Sequence, residues 1–479
     1  MDRPKLIVGI VVDQMRYDFL YRYYSKYCEG GFKRMLREGY SFSNCNYSYF
    51  PTKTAAGHAS IYTGTTPNLH GVVGNDWFEP KTEREMHCVQ DDSVSCIGGT
   101  EKNGRKSPKN LQTFTVADQI KLATNFRGKT FGISLKDRGA ILPAGHSADG
   151  AFWFDATTGN FISSTFYKNL KGKLPDWLNQ FNQKRLAEGY KKKVWTTLFP
   201  MDQYFESSPD FTEYESGILN NQGPVFPYDL SQEKSEGFEI VKRSPFGNTL
   251  VSDVSKALIS GEKLGRGTEM DFLAVSFSST DEIGHNYGAF AIETEDTYLR
   301  LDRDLESFFT YLDNEIGKGN YLAFLTADHG IIEVPSFLMD QNLPAGYFSQ
   351  KSFMNNLKSF SVNQFDSLQL IKYYINEQIF LDHELIQKKN LDVNRVVEKM
   401  VGFIENQPDV FRAFAFSGKR PFPEIPLIEK YEAGYFKGRS GDIQLVLKPG
   451  MLERNSRKGT TPPLTATILM YPAFGWDGK

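Results

Sequence analysis

The chain has 479 residues, 40% hydrophobic and 24% charged, with a formal net charge of -3. That length is large for one compact core and predicts either a single core carrying insertions or two to three lobes. A near-neutral balance with no basic half argues against a nucleic-acid partner, and the one tight basic run, Lys191-Lys192-Lys193, reads as solvated surface.

Met1-Asp2-Arg3-Pro4-Lys5 leads straight into the apolar run Leu6 to Val12, with no apolar leader ahead of it. The expectation is a protein that stays inside the cell or has lost its leader. No apolar stretch approaches the roughly 20 residues that span a bilayer, so no membrane span is expected. Leu6 to Val12 is strand length and ends on Asp13. Gly31 to Glu38 reads as a short helix. In Phe50-Pro51-Thr52-Lys53-Thr54, Pro51 ends an extended approach, and small residues follow as far as Ser60. A hydroxyl at such a helix start lies beside free backbone N–H groups and the positive end of the dipole, a natural phosphate seat. Thr54 is therefore a candidate nucleophile, although an ordinary N-cap has the same appearance.

Further along, Gly74-Asn75-Asp76-Trp77 offers Asn75 as a donor to a phosphate oxygen. The four cysteines (Cys28, Cys45, Cys88, Cys96) lack metal-type spacing; Cys88 and Cys96 either pair in an oxidising compartment or stay free. After the short apolar run Thr130 to Ser134 come Lys136 and Arg138. If extended, these two cations point the same way, and a guanidinium fork plus a point charge suits a dianionic phosphoryl group. A lone Lys-x-Arg is more often plain surface.

Two more apolar runs end on acids: Phe272 to Phe277, leading to Asp281-Glu282-Ile283-Gly284-His285, and Tyr321 to Ala327, leading to Asp328-His329. Between them, Ile292 to Tyr311 has a helical apolar face. Continuous apolar runs suit strands buried on both faces of a parallel sheet, whose ligand crevice lies beyond the carboxyl ends. Asp13, Asp281 and Asp328 are thus expected to converge. Oxygen and nitrogen ligands without thiolates fit a catalytic zinc site. One Asp-x-x-x-His pair is usually a surface hydrogen bond; three acid-bearing strand ends together favour a metal centre. The segments 143–250 and 331–435, aromatic and weakly periodic, are expected to be insertions forming a lid.

From Arg3 to Thr461 the chain resembles the phosphate-irrepressible bacterial alkaline phosphatases. These belong to the type I phosphodiesterase/nucleotide pyrophosphatase branch of the alkaline phosphatase superfamily. The resemblance rests on the motifs above, with Phe246-Gly247-Asn248-Thr249-Leu250 and Arg439-Ser440-Gly441-Asp442-Ile443. It implies an α/β three-layer sandwich with a mostly parallel central sheet and helices on both faces. It implies a single catalytic domain over 1–479 with inserted lid segments, and a periplasmic or secreted location. The implied activity is zinc-dependent hydrolysis of small-molecule phosphate monoesters through a phosphothreonine at Thr54. Asp13, Thr54, Asp328 and His329 would surround one zinc, and Asp281 and His285 the other. Asn75, Lys136 and Arg138 would hold the phosphoryl oxygens. Diesterase relatives lack the Lys and Arg pair, because one of their phosphate oxygens carries an organic group and less charge. A nucleotide pyrophosphatase/phosphodiesterase is the alternative; a sulfatase is disfavoured, since Thr54 cannot become formylglycine.

The chain departs from the family at one place. A further zinc histidine is expected after Lys458-Gly459-Thr460-Thr461, but Pro462-Pro463-Leu464 follows, and the last of the seven histidines is His383. Residues 462–479 are expected to be an aberrant tail, as a frameshift produces; a shifted reading frame permits an Asp-Thr-His motif there. The second zinc site is then expected to be impaired, giving a weakly active or inactive product that binds phosphate esters, unless His58 or His146 fills the place.

Overall fold

A computed structural model describes residues 3–219, 222–366, 368–416, 426–454 and 473–476. Its centre is Leu6–Val12 (β1), an apolar strand with side chains alternating between two covered faces. Leu6, Val8, Ile10 and Val12 belong to the main core, while Ile7 and Val11 pack into a smaller cluster on the opposite face. Gly9 leaves the space that the Phe324 and Tyr62 side chains occupy. Covering both faces is what makes a continuous apolar run the favourable choice here.

The remaining sheet strands, in chain order, are Tyr40–Phe42 (β2), Cys96–Ile97, Thr130–Ser134, Gly150–Asp155, Asn160–Ser164, Asp271–Phe277, Tyr321–Thr326 and Ala473–Trp476. With the Asp76–Glu79 and Arg84–His87 hairpin strands numbered β3 and β4, these become β5 (Cys96–Ile97), β6, β7, β8, β9 (Asp271–Phe277) and β10 (Tyr321–Thr326). The spatial order is β2, Ala473–Trp476, β10, β1, β9, β6, β7, β8, β5. The run from β10 through β1, β9 and β6 to β7 is parallel throughout. The flanking pairings are antiparallel.

Helices Thr54–Thr63 (α1) and Val116–Ala123 (α2) cover one face through Ile61, Tyr62, Ala117 and Ile120. Asp137–Ala144 (α3) packs beside α1. Phe246–Glu262 (α4), Ser279–Tyr287 (α5) and Ile292–Leu312 (α6) contribute Leu250, Val254, Ile283, Leu301 and Leu305 to the main core. The architecture is the α/β three-layer arrangement expected from the sequence.

The two expected insertions differ from expectation in extent. Within 143–250, β7 and β8 extend the sheet itself, because Gly150–Asp155 is buried along its whole length. Later parts of that stretch do cover the end of α5: Ser216 N–H donates to Asn286 O (2.8 Å) and Ile218 N–H to the Tyr287 hydroxyl (3.3 Å). The 331–435 stretch builds most of a lobe with its own apolar core, including Leu357, Ile379, Met400 and Ile404. Its four-stranded sheet is completed by Ile443–Leu447, beyond the expected boundary. The lobe grips the chain around Thr54. Phe50 N–H donates to Lys430 O (2.9 Å), Asn376 Nδ2 to Asp76 O (2.8 Å), and Arg439 to Asn110 O (2.7 Å) while its guanidinium lies over Trp77. Of the tail 462–479, only Ala473–Trp476 falls among the described residues.

Candidate metal and phosphate site

Parallel strands end at one level, so the residues just past β1, β9 and β10 meet. Asp13 leaves β1 with its N–H on Phe277 O (2.9 Å) and its carbonyl accepting from Thr280 Oγ1 (2.6 Å). Asp281 and His285 share one face of α5, with Nε2 3.1 Å from Asp281 Oδ1. The start of α5 is held by Asn248 of α4, whose Oδ1 accepts from Ser279 N–H (3.1 Å). Asp328 and His329 follow β10. Asp13, Asp328 and His329 form a buried group of three ligand atoms in mutual reach, as a metal ion requires.

Several facts test whether a metal fits. Asp13 Oδ1, Asp281 Oδ1 and Asp328 Oδ2 are buried and make no well-aligned hydrogen bond among the described residues, although imidazole nitrogens of His329, His285 and His58 lie 3.3, 3.1 and 3.2 Å from them. His329 Nε2 lies 3.3 Å from Asp13 Oδ1 and 3.3 Å from Thr54 Oγ1. Two ligands of a tetrahedral ion with arms of about 2.0–2.1 Å are roughly 3.3 Å apart, so these spacings suit donors to a common ion. The donor set of carboxylate, imidazole and hydroxyl fits.

The electrostatics point the same way. Burial, then Asp281 and Asp328, push the Asp13 carboxyl up. Despite burial, His285 and Lys136 hold Asp281 well below the usual carboxylate range, and His329 and His58 bring Asp328 down to about 2. Burial opposes a charge on His329, but Asp328, Asp13 and Asp281 raise it to about 10. Three carboxylates crowded out of water require cationic partners.

Thr54 opens α1 as its first helical residue; Lys53 is the N-cap. The capping role that its sequence context allows is therefore not the one it takes. The helix reaches the metal-ligand end of the sheet because Gly57 has no side chain: a Cβ there would overlap the backbone of Asp328. Asn75 Oδ1 accepts from Ala55 N–H (2.9 Å), which leaves the amide nitrogen as its donating end.

Lys136 and Arg138 do not lie along an extended strand. Lys136 is the N-cap of α3 and Arg138 its second helical residue; Lys136 N–H donates to Ser134 Oγ (3.1 Å), turning the chain. The Lys136 ammonium reaches Asp13 Oδ2 (2.8 Å) and Asp281 Oδ2, one carboxylate from each ligand group. Burial works against this charge, and those two carboxylates raise its pKa. Arg138 is largely buried, and its Nε has no hydrogen-bond partner among the described residues.

Of three further neighbours, Gln14 and His87 carried no sequence signal and His58 only that of a substitute ligand. Gln14, at φ 67°, donates its N–H to Asp328 Oδ1 (3.1 Å). A non-glycine residue in that region marks strain that neighbours hold in place. His58 lies behind Asp328, Nδ1 near Thr54 O (2.8 Å) and Asp328 Oδ2 (3.2 Å), Nε2 on Ser276 Oγ (2.9 Å). Both its nitrogens have neighbours, and His146 has Nε2 3.1 Å from Leu111 O and Nδ1 3.5 Å from Asp118 Oδ2. His87 sits between Asp76 and Asp137. All four cysteines are free thiols.

The model of the type I phosphodiesterase / nucleotide pyrophosphatase family matches residues 7–467. The chain belongs to this family. Within it, the chain is 45% identical to alkaline phosphatase PafA of Elizabethkingia meningoseptica over 466 residues, covering 96% of this chain and 84% of that protein. Alkaline phosphatase PhoV of Synechococcus elongatus is 44% identical over 94% of this chain and 80% of its own length. A Myroides odoratus protein named calcium-transporting ATPase is 45% identical over 96% and 84%. The crystal structure of wild-type PafA superposes with a TM-score of 0.93 at 42% identity, covering 99% of this chain and 92% of the other. The chain is thus a PafA-type alkaline phosphatase of the nucleotide pyrophosphatase branch. No helix among the described residues of this family member is long and apolar enough to cross a membrane.

Proposed function

We propose that the chain hydrolyses small-molecule phosphate monoesters through Thr54, with zinc held by Asp13, Thr54, Asp328 and His329 and a second zinc by Asp281 and His285. The observation carrying this reading is the pair of cations at the start of α3: buried Lys136 against the Asp13 and Asp281 carboxylates, and partly buried Arg138 with an unengaged Nε. A monoester phosphoryl group is dianionic and can use both; a diester presents one charge fewer. Bound zinc supplies the positive charge that acidifies the Thr54 hydroxyl and offsets charge on the leaving oxygen.

The chain's own groups do the rest. Thr54 Oγ is presented at the first turn of α1, at the positive end of the helix dipole, which favours an anionic phosphate. Its attack forms the P–Oγ bond as the ester P–O bond breaks in line; the Thr54 hydroxyl gives up its proton and the alkoxide leaves as the alcohol, taking up a proton. Water then attacks the phosphothreonine, phosphate departs and Thr54 regains its proton. Asn75, Lys136 and Arg138 meet the charge spread over the non-bridging oxygens. A periplasmic or secreted location belongs to the same reading.

Turnover of an aryl monoester and the matching diester, compared in wild type, Lys136→Ala and Arg138→Ala, tests this. Each substitution is expected to lower monoester turnover by about 10²–10³-fold, the scale of one lost charge-stabilising donor, and diester turnover far less. Equal losses on both substrates would mean that the pair is structural and would remove the observation on which the reading rests.

A further inference from the structure

We propose that His87 is a positioning residue that ties the loop carrying Asn75 to the helix start carrying Lys136 and Arg138, so that the phosphate clamp moves as one unit. This rests on assigning those three residues as the clamp.

The geometry is specific. His87 ends β4 and faces Asp76 across the β3–β4 hairpin, with Nδ1 2.9 Å from Asp76 Oδ1. Its other nitrogen, Nε2, lies 3.2 Å from Asp137 Oδ2. Asp76 directly follows Asn75, and Asp137 stands between Lys136 and Arg138. One imidazole therefore bridges the two chain segments that supply every proposed phosphate donor outside α1. The hairpin adds a second tie, since Cys88 N–H donates to Asn75 O (2.9 Å).

An imidazole that donates at both nitrogens is protonated, and its surroundings favour that state. Burial disfavours the charge, but Asp137 and then Asp76 raise the His87 pKa, against a smaller opposing effect of Lys106. The other groups facing the cluster are Lys106, 3.4 Å from Asp137 Oδ2, Arg138, and the buried Cys88 thiol, which stays protonated. Asp137 is held below the usual carboxylate range despite burial, chiefly by His87, Lys106 and Arg138. A folded-state pKa above the unfolded value means the tie is complete below about pH 6.5 and is lost as pH rises through the raised value.

The test measures calorimetric affinity of the full chain for inorganic phosphate from about pH 6 to about pH 10, a span that covers histidine ionisation. His87→Gln is expected to bind about tenfold more weakly than wild type at the acid end, the loss of about one charge-assisted hydrogen bond. The ratio should shrink toward one at the alkaline end, where wild-type His87 has itself lost its proton. Asp76→Asn, which adds no bulk, should give the same pattern at smaller amplitude and keeps the test alive if His87→Gln does not fold. A ratio flat with pH overturns the proposal, whether it stays near one (an idle imidazole) or stays high (a filler of space). Lys136→Ala and Arg138→Ala are measured alongside: wild-type phosphate affinity in both would overturn the clamp assignment itself, separately from the tie.

Discussion

Thr54 lies one residue inside α1, and the contact recorded for its hydroxyl is His329 rather than a helix N–H. Replacing it by alanine removes a reacting group without uncapping a helix. Thr54→Ala is expected to cut monoester turnover at least about a thousand-fold, as losses of nucleophiles do. Unfolding free energy should change by no more than about 1 kcal/mol, the size of a cap effect. Near-normal turnover in that variant would remove Thr54 from the chemistry. At this scale the sequence was informative wherever a residue's role follows from its place after a strand or before a helix, as for Asp13, Asp281, Asp328 and Thr54. It was silent on Gln14 and His87 and offered His58 only as a substitute ligand: Asp328 is 314 positions from Gln14 and Ser276 is 218 from His58, while His87 meets Asp76 across a hairpin and Asp137 50 positions on. A φ of 67° at Gln14 leaves no trace in composition or periodicity.

Strands were the most legible elements, because burial on both faces writes an unbroken apolar run, and β1, β9 and β10 lie where those runs do. The start of α3 was less so: Lys136-Asp137-Arg138 carries no helical periodicity, and only the turn at Ser134 and the acid in the first turn commit it to a helix. The packing of α1 on the metal-ligand strand was not visible at all, since Gly57 reads as one more small residue. Gly57→Ala is a test of that packing. A methyl group in contact with the Asp328 backbone must push α1 and β10 apart, costing roughly 1–3 kcal/mol as overpacking does. Both thermal stability and turnover should fall, and zinc should loosen with them because Asp328 moves. An alanine accepted with unchanged stability would show that the contact is slack.

Across the whole molecule, the α/β core was readable and its additions were not. Aromatic, weakly periodic sequence looks alike whether it extends a sheet, as Gly150–Asp155 does, or builds a separate core around Leu357 and Met400. The metal count is the molecule-scale prediction. Asp13, Asp328 and His329 make a group of three, whereas Asp281 and His285 are two, and the sequence has no histidine after His383. Catalytic zinc sites hold three protein ligands. Titrating the chelated protein with zinc is therefore expected to show one tight and one much weaker equivalent, with turnover climbing as excess zinc fills the second. Two tight equivalents would mean that another group completes the site.

The lobe's grip on Phe50 and Asp76 has a mechanical consequence. Its two handholds lie on either side of the nucleophile and its neighbouring amide: Phe50 precedes Thr54 by four residues, and Asp76 follows Asn75. Ala55 N–H and Asn75 Oδ1 lock those flanks to each other. A rocking of the lobe would carry the Thr54 hydroxyl and the Asn75 amide as a single rigid piece. The lobe thus steadies the attacking oxygen and the stabilising donor together rather than one at a time.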